Sequence, residues 1–403
     1  MIIIGSGVAG LYSAYNIKRV SPSTTFLILE KNKKSNGLGG RAGNETFCGA
    51  EVVTGAGIGR KRKDKLLYRL LQDLSIETEE MTFGPNYAAT LRNNICDIPH
   101  TMERLKKKLE KNGQSETFRK FAKRELGSAE YERFLITSGF SDYEQEDVRD
   151  VLYNYGMDDN SSQFQGFRVK WKEMVKKMAD IIGPDYFKYS RQASKISRIA
   201  SAWQISTISG HTYIANKIII ATTISDIREL LPNHRIYKDI EGQPFTRVYG
   251  KFDKKSRDIL SQCVKGTTIV PGPLQKIIPI ADDKGIYMIA YSDNDSAVFL
   301  KTHLENTERN RHFFSRLVEQ SLGIPINTLT ISTMIHFYWE IGTHYYKPLN
   351  TRIWETRADF IDTAQRPEKD IIVVGEVVSL HQGWTEGALE SVHKVVTKKW
   401  ITQ

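Results

Sequence analysis

The sequence predicts an α/β fold in which a parallel sheet is assembled from distant parts of the chain and an α+β domain is inserted between them. Three observations lead to this prediction. A glycine-rich turn at residues 5–10 separates a short apolar run from a helical pattern. Two further apolar runs of strand length, 217–221 and 371–374, lie in the middle and near the end of the chain. Alternating segments between residues 245 and 339 indicate a second, mostly antiparallel sheet.

The first element is a strand, a tight turn and a helix. Residues 1–4 are predicted as a buried strand, residues 11–19 as the helix, and residues 26–29 as a second parallel strand that ends at Glu30. The turn has the pattern G-x-G-x-x-G. Its glycines permit the tight turn, the approach of the backbone to a pyrophosphate, and the packing of the helix on the sheet.

These features together predict a dinucleotide site, with an ordinary glycine turn as the alternative. The helix N-terminus offers free N–H groups and its dipole to phosphates. Glu30 is placed to accept hydrogen bonds from ribose hydroxyls and to repel a 2′-phosphate. The residues expected to contact the dinucleotide here are Gly5, Gly7, Val8, Ala9, Gly10, Glu30 and Lys31.

A second glycine-rich loop, at residues 37–42, follows the second strand, and its glycines let the backbone pass close to a flat or charged group. Helical spacing of apolar residues predicts helices over 65–74, 117–126 and 132–139. Residues 166–168 are predicted to open an amphipathic helix that ends near Gly183.

The second half of the chain contains mainly strand patterns. Short strands are predicted over 195–199, 202–208 and 217–221, and antiparallel strands over 245–252, 267–270, 276–280, 285–291 and 329–338. A last strand at 371–374 precedes a helix over 385–395. We therefore expect a discontinuous dinucleotide-binding domain and an inserted second domain. The first comprises residues 1–65, 170–240 and 355–403, and the second comprises residues 66–169 and 241–354.

Composition and charge restrict the class of protein. No run approaches the roughly 18 to 20 apolar residues of a membrane span. A strand starting at Met1 leads us to expect no signal or transit peptide and a cytoplasmic location. The net charge of +10 includes basic runs at 60–65 and 104–108. We read these runs as solvated helix faces, with nucleic acid or another polyanion as the alternative partner. Three scattered cysteines are expected to be buried thiols, without a metal site or disulfides.

Four landmarks resemble, in the same order, those of the FAD-dependent amine oxidase superfamily, which includes monoamine, polyamine and L-amino-acid oxidases and the flavin-dependent histone demethylases. They are the turn at 5–10 with Glu30, the sequence GGRA at 39–42, Ile196, and Gly375-Glu376 followed by GWTEGA at 383–388. The resemblance implies a FAD-binding Rossmann-like domain of the glutathione-reductase type with an inserted α+β substrate domain. Besides the first turn and Glu30, it assigns to the cofactor the residues Gly39, Gly40, Arg41, Ala42, Ile196, Gly375, Glu376, Trp384, Thr385 and Ala388.

The resemblance also implies an aromatic wall in front of the flavin. Trp384 lies where the family commonly has one wall of an aromatic cage that aligns an amine, and a core tryptophan is the alternative. Tyr345 matches a family tyrosine loosely, while Trp339 is expected to be core packing. The segments 245–252 and 342–346 also resemble the divergent branch of the family found in large DNA viruses, which would place the protein in a host cytoplasm or a virion.

Arg247 departs from the family pattern. Most members have a lysine five residues before the phenylalanine of this strand, here Phe252, and that lysine holds a water against flavin N5. Arginine keeps the positive charge and can clamp a carboxylate, but it cannot act as a base near pH 7. Arg247 is therefore expected either to bind an acidic substrate group or to replace the lysine electrostatically. The third alternative is that the alignment is shifted by one residue, which would make Arg247 a surface residue.

The implied function is oxidation of an amine, with dioxygen as the acceptor. The family transfers a hydride from the carbon next to nitrogen to flavin N5, which yields an imine and reduced flavin. Water hydrolyses the imine, and dioxygen reoxidises the flavin and becomes hydrogen peroxide. The chain has no cysteine after Cys263, so FAD is expected to be held non-covalently. Two alternatives stay open. One is a related flavoprotein acting on a non-amine, as desaturases and mutases do, and the other is a flavin-binding structural or interaction protein.

Overall fold

The computed structural model describes residues 1–157 and 161–403. Its strands are β1 Ile2–Ile4, β2 Leu27–Leu29, β3 Asn44–Phe47, β4 Ala50–Val53, β5 Gly59–Arg60, β6 Glu79–Phe83, β7 Asn86–Tyr87, β8 Phe164–Arg168, β9 Phe187–Lys188, β10 Ala193–Ile199, β11 Ala202–Thr207, β12 Thr212–Ala215, β13 Ile218–Ile220, β14 Ile240–Phe252, β15 Thr268–Ile269, β16 Lys276–Ala281, β17 Ile286–Asp293, β18 Ile331–Tyr346 and β19 Ile371–Val373. Its α-helices are α1 Val8–Val20, α2 Lys65–Asp73, α3 Ile98–Asn112, α4 Phe118–Leu126, α5 Ser128–Ser138, α6 Val148–Tyr153, α7 Trp171–Ile182, α8 Ile224–Leu230, α9 Lys254–Cys263, α10 Asn294–Leu300, α11 Glu308–Leu322, α12 Arg357–Gln365, α13 Thr385–Val395 and α14 Lys398–Thr402. Turns of 3-10 helix cover Ala89–Leu91, Pro184–Tyr186, Arg235–Asp239, Asp282–Lys284, Lys301–His303 and Glu376–Val378.

Five strands form a parallel sheet in the order β19–β13–β1–β2–β9. They come from the beginning, the middle and the end of the chain, and β1 pairs with β13 on one side and β2 on the other. The central strands are runs of isoleucine because both faces of the sheet are covered, which favours β-branched apolar side chains. Helices α1, α7 and α13 pack on one face, and α8 and α12 pack on the other. The domain boundaries given above stay predictions.

The second sheet has the order β18–β14–β17–β16–β15–β7 and is antiparallel except between β15 and β7. Its two longest strands, β14 and β18, have 13 and 16 residues and pair along most of their length. Their register places Phe245 opposite Trp339, while Arg247 lies opposite Tyr291 of β17. The sheet thereby gathers these four side chains in one region.

Helices α3 to α6 form a separate apolar cluster that packs on the antiparallel sheet. The segment after α5 makes the connection. The Ser141 N–H donates to the Asp293 carboxylate at 3.0 Å, and the Asp147 N–H donates to the Tyr346 carbonyl at 3.0 Å. The acidic segment 142–150 is therefore held close to the ends of β14 and β18.

The predicted α/β organisation is confirmed, and so are the helices at 65–74, 117–126 and 385–395 within one or two residues at each end. The prediction that residues 166–168 open a helix is wrong. They belong to β8, where Phe167 pairs with both Gly59 and Glu80, and α7 begins at Trp171. Strand partners from distant parts of the chain override the local helical signal here. Helices α9, α10 and α11 also interrupt a region expected to alternate between strands.

Two expectations from composition can be compared with the structure. In the described part of the chain, no helix combines the length and apolar character needed to cross a bilayer. The expectation of three buried thiols is wrong, because Cys48 and Cys263 are exposed and Cys96 is partly buried. Cys48 occupies the turn between β3 and β4 with a positive φ of 50°, and Cys263 ends α9. Both positions lie at the ends of elements, where side chains reach solvent.

Gly10 packs α1 against the preceding turn, so Gly10→Ala is expected to destabilise the protein. An added Cβ would overlap the carbonyl oxygen of Gly5, a backbone atom that moves only with the turn itself. Overpacking of this kind costs about 1–3 kcal/mol, and urea unfolding should show that loss. Gly7→Ala is the matched control, because a Cβ at Gly7 meets nothing within 4 Å. Equal stability of the two variants would contradict the packing role of Gly10.

Candidate functional site

A cavity of about 450 Å³ opens at the carboxyl ends of the parallel strands, where that sheet faces the antiparallel one. Strands β1, β2, β13 and β19 end at Ile4, Leu29, Ile220 and Val373, and a residue within two positions of each end lines the cavity. Ligands bind at this edge of open α/β sheets, because loops and helix N-termini converge there. The volume lies in the range of small-molecule and cofactor pockets.

The glycine turn forms one end of the cavity. Gly5 has a φ of +101°, which L side chains rarely adopt. Gly7 is the N-cap of α1 and provides no side chain to the first N–H groups, and the first turn contains no acidic residue. Val8 and Ala9 line the cavity directly after it. This helix end therefore offers unpaired N–H groups and a positive dipole to an anion.

Glu30 closes the same end of the cavity. The residue is 6% exposed, and its carboxylate accepts hydrogen bonds from the Ser6 N–H at 3.0 Å, the Ser6 hydroxyl at 2.6 Å and the Asn32 N–H at 2.8 Å. A carboxylate has about four acceptor positions, so one stays free for a donor in the cavity. At the rim, Lys31 pairs with Asp226 at 3.4 Å. Glu30 is thus rigidly oriented and still able to accept from a hydroxyl.

The second glycine-rich loop lies beside the first turn. Gly39 and Gly40 both have positive φ, and the Gly39 N–H donates to the Ser6 carbonyl at 2.9 Å. The loop leads to Arg41, whose Nη1 donates to Glu376 at 2.9 Å and to the Gly342 carbonyl at 2.7 Å. Arg41 therefore ties this loop to the antiparallel sheet and to the chain segment that follows β19.

Glu376 is the most heavily bonded carboxylate of the site. It accepts from Arg41, from Nδ1 of His344 and from the Gly383 N–H at 2.9 Å. Burial alone would raise the pKa of Glu376, but His344, Arg41 and the donated hydrogen bonds hold that pKa well below its ordinary value. The carboxylate is consequently ionised at neutral pH.

His344 is fully buried and its tautomer follows from its partners. Its Nε2 accepts the Ile224 N–H at 3.1 Å. Because a backbone N–H can only donate, Nε2 is unprotonated and the proton lies on Nδ1, which donates to Glu376. His344 thus links the first residue of α8 to Glu376. No sequence pattern predicts a role for this histidine, because a lone histidine in a strand has no distinguishing spacing.

Arg247 lies at the other end of the cavity and is 2% exposed. Its Nε donates to the Gly55 carbonyl at 2.9 Å, and its guanidinium carbon lies 4.2 Å from the centroid of the Tyr291 ring. No carboxylate pairs with it within residues 1–157 and 161–403. It is a buried cation held by a carbonyl and aromatic faces, and its positive charge is not neutralised locally.

Four aromatic residues surround this end of the cavity. Phe245, Tyr291, Trp339 and Trp384 all line it. Trp339 is partly exposed and lines the cavity, so the expectation of core packing is wrong. Its indole N–H donates to the Thr54 carbonyl at 2.9 Å. Trp384 packs edge-on against Trp171, with ring centroids 6.5 Å apart. An aromatic chamber of this kind suits an apolar or flat group.

Lys276, for which no sequence pattern predicted a role, lies behind Tyr291. Its Nζ is buried, donates to the Gly139 carbonyl at 2.6 Å and lies 4.4 Å from the centroid of the Tyr291 ring. Burial lowers the pKa of Lys276 to about 7, against the opposing effect of Asp293 and Asp142. This lysine and Arg247 therefore flank the same tyrosine ring, and no local pattern in the sequence indicates that they meet.

The structure brings most of the predicted site residues to one cavity and leaves three outside it. Gly10 faces the strand side of the turn, Ile196 lies on β10 against the core, and Tyr345 lies on β18 opposite Glu241. Beside Glu30 the cavity is lined by residues 191–193 and not by Ile196. Thr343 lines the cavity, whereas Tyr345, two residues further along β18, does not. A break in register lies between Thr343 and Trp339. The predicted residues that line the cavity are Gly5, Gly7, Val8, Ala9, Glu30, Lys31, Gly39, Gly40, Arg41, Ala42, Arg247, Gly375, Glu376, Trp384, Thr385 and Ala388.

Three buried donor atoms on the cavity wall have no hydrogen-bond partner among the described residues. They are Nε of Arg191, the Thr222 hydroxyl and Nε1 of Trp384. Leaving a buried donor unpaired costs about 1–3 kcal/mol, so such groups indicate a missing acceptor. Together with the N-terminus of α1, they fit a ligand that is long, rich in oxygen and negatively charged.

A family model described as an NAD(P)-binding Rossmann-like domain matches residues 3–74. No curated protein sequence matches the chain significantly. Among solved structures, a putrescine oxidase variant redesigned in its cofactor binding superposes with a TM-score of 0.75 and 13% identity, covering 100% of this chain and 98% of that chain. Cyclohexylamine oxidase from Brevibacterium oxydans gives a TM-score of 0.75 and 16% identity, covering 98% and 97%. The chain therefore has the two-domain fold of these amine oxidases, which confirms the fold class predicted from the sequence.

Glu376→Gln is expected to lower stability in a pH-dependent manner. The native pKa of Glu376 lies below its ordinary value, so its ionised form stabilises the folded state above pH 4.5, and this contribution disappears as the pH falls through the native pKa. At pH 7 the variant should lose about 2 kcal/mol of unfolding free energy, the range for hydrogen bonds to a charged group. Urea unfolding of both proteins at pH 7 and pH 3.5 tests this. A difference that is the same at both pH values would show that ionisation of Glu376 is not the cause.

Proposed function

We propose that the protein is a FAD-dependent oxidoreductase that oxidises the C–N bond of an amine. The observation that carries the proposal is one continuous cavity, with a dinucleotide-type turn at one end and an aromatic chamber around Arg247 at the other. Bound FAD would accept a hydride at flavin N5 and deliver electrons to dioxygen. The shared fold with two amine oxidases supports this assignment.

The residues along the cavity fit the successive parts of FAD. The N-terminus of α1 would hold the pyrophosphate, and the free acceptor position of Glu30 would take a ribose hydroxyl. Glu376 and the N-terminus of α13, where Thr385 and Ala388 line the wall, would hold the ribityl chain and the flavin ring. No cysteine lines the cavity among the residues that the structure describes, which supports non-covalent binding.

The aromatic chamber would position the substrate. Trp384 and Trp339 present large flat surfaces that exclude water and align an amine nitrogen. Arg247 adds a permanent positive charge next to Tyr291. A like charge disfavours the protonated form of a bound amine and thereby lowers its pKa. Arg247 would therefore keep the reacting nitrogen neutral, which is the form able to release a hydride from the adjacent carbon.

Arg247 also favours a second candidate function. A buried guanidinium without a carboxylate partner in the described residues is well suited to clamp an anionic group of a substrate. The second candidate is thus a related flavoprotein that oxidises or isomerises a non-amine bearing a carboxylate or phosphate. Oxidation of an amino acid would combine both features.

Purified protein is expected to be yellow, and Glu30→Ala should lose most of its flavin. The alanine removes the acceptor for the ribose and releases the Ser6 and Asn32 donors. Loss of about 2 kcal/mol in binding corresponds to about a 30-fold weaker FAD affinity. Absorption spectra and titration of the flavin-free protein measure this, with Glu132→Gln on the exposed face of α5 as a control.

The reaction is tested on the flavin-loaded protein with a panel of monoamines, diamines and amino acids. Hydrogen peroxide release and anaerobic bleaching of the flavin band by one of them would support the proposal. A flavin-loaded protein that no amine bleaches favours the non-amine candidate, and a folded protein that binds no flavin rules out both.

Arg247→Met is expected to shift the pH dependence of kcat upward. Without the guanidinium, the bound amine regains a higher pKa, so the acidic limb of the kcat profile should move to higher pH by about one unit. Arg247→Lys keeps a positive charge and should leave the limb close to its original position. An unchanged limb in the methionine variant would show that Arg247 does not act on the protonation of the substrate.

A further inference from the structure

A second, smaller cavity of about 20 Å³ lies next to the main one, and Gly383 lines both. A cavity of this volume holds one group of the size of a water molecule. Its walls come from the acidic segment after α5, from the beginning of β14 and from the loop before α13. It is separate from the chamber around Arg247, and the proposed function assigns no role to it.

Three acceptor groups on its wall are unsatisfied in the part of the chain that the structure describes. Glu146 is 8% exposed, and neither of its carboxylate oxygens has a hydrogen-bond or ion-pair partner in residues 1–157 and 161–403. Gln243 is 5% exposed and its Oε1 is buried without a partner. Oε1 of Gln382 is likewise buried and unpartnered. Buried polar atoms are normally paired, so three acceptor groups without donors around one small cavity indicate a missing donor.

The donors on the same wall are engaged elsewhere. Nε2 of Gln243 donates to the Asp142 carbonyl at 2.6 Å and to the Thr343 hydroxyl at 3.2 Å. Nε2 of Gln382 donates to the Val377 carbonyl at 3.1 Å, and the Tyr155 hydroxyl donates to Asp142. The wall therefore presents acceptors to the cavity, and a ligand consisting only of donors is its chemical complement.

The charge balance points to a cation. The segment 142–150 contributes five carboxylates, those of Asp142, Glu144, Glu146, Asp147 and Asp150. Arg119 lies 3.5 Å from Glu144, and Arg357 packs against Asp147 and Asp150. Arg357 is directed at Asp150, at 2.8 Å, and at Asp147, at 3.6 Å, so Glu146 receives no hydrogen bond from it. Burial and the neighbouring carboxylates raise the pKa of Glu146 well above its ordinary value. Without a ligand the buried Glu146 carboxyl therefore favours its protonated form, and a cation beside it would favour the ionised form and take the place of that proton.

We propose that this cavity binds one ammonium group, held by Glu146 and by the amide oxygens of Gln243 and Gln382. An ammonium group provides N–H donors without an acceptor, matches the cavity in size and neutralises the buried carboxylate. Its source is either free ammonium ion or the end of an alkylamine that reaches the cavity past Gly383. The site does not depend on the proposed oxidation, because binding requires no turnover.

The test is thermal unfolding of the protein as purified with increasing ammonium chloride, 1-aminobutane or 1,4-diaminobutane at constant ionic strength. Ligand binding to the folded state should give a saturable rise in Tm of about 2 °C or more. Tetramethylammonium chloride, which has the same charge but no N–H donor, should give no rise. Equal effects of potassium or sodium chloride, or no saturable effect of any amine or of ammonium, would overturn the proposal.

Glu146→Gln should weaken the binding about 10-fold or more, because it removes a charge-assisted hydrogen bond. Without ligand, its Tm should equal or exceed that of the unsubstituted protein, since the variant no longer buries an unpaired carboxyl. If Glu146 had a purely structural role, Glu146→Gln would instead lower the Tm of the ligand-free protein. Glu132→Gln, on the exposed face of α5, is the matched control and should change neither value.

Gln382→Met is a second variant in case Glu146→Gln fails to fold. It removes one unpartnered acceptor and should weaken binding about 3-fold or more. Binding unchanged in the Gln382 and Glu146 variants overturns the site. The outcome is independent of the oxidation assay. A protein that binds ammonium at Glu146 but oxidises no amine would refute the proposed reaction and support the ammonium site. A protein that oxidises amines but shows no Glu146-dependent binding would support the reaction and refute the ammonium site.

Discussion

The convergence of three chain segments on the Glu376 carboxylate is the interaction on which the arrangement of the main cavity depends. Arg41 comes from the loop after β2, His344 from the antiparallel sheet, and Gly383 from the loop before α13. Each supplies a donor to the same buried anion, and the carboxylate is ionised because these donors outweigh its burial. The parallel sheet and the antiparallel sheet are thus fixed to each other at the point where the cavity passes between them.

Signals that are local in the sequence predicted the fold and one end of the site. The glycine turn, the isoleucine strands and Glu30 can be identified because backbone geometry and burial impose their spacing. Ile196 and Tyr345 were placed at the site by resemblance alone, and neither residue lines the cavity. No periodic pattern in the sequence indicates how far along β10 and β18 the cavity extends. Residue 167 was expected in a helix because its strand partners, Gly59 and Glu80, are distant in sequence.

What the sequence could not predict are the contacts between elements that no periodic pattern links. His344 links Glu376 at one ring nitrogen to the Ile224 N–H at the other, and both partners are more than thirty residues from His344 in the sequence. Lys276 and Arg247 flank one tyrosine ring only because β16, β17 and β14 are adjacent in the sheet. Such groups are functional candidates by burial and by missing partners, which are properties of the folded chain alone.

The unpaired buried groups on the walls of the two cavities differ in type, and this difference predicts different ligands for the two cavities. Around the main cavity the unpaired buried atoms of Arg191, Thr222 and Trp384 are donors, and the permanent charge of Arg247 adds to them. Around the small cavity the unpaired groups of Glu146, Gln243 and Gln382 are acceptors. An oxygen-rich anion satisfies the first set and an ammonium group satisfies the second, so neither ligand could replace the other. Because Gly383 belongs to both walls and donates its N–H to Glu376, the carboxylate that joins the two sheets also holds in place the loop that separates the two cavities.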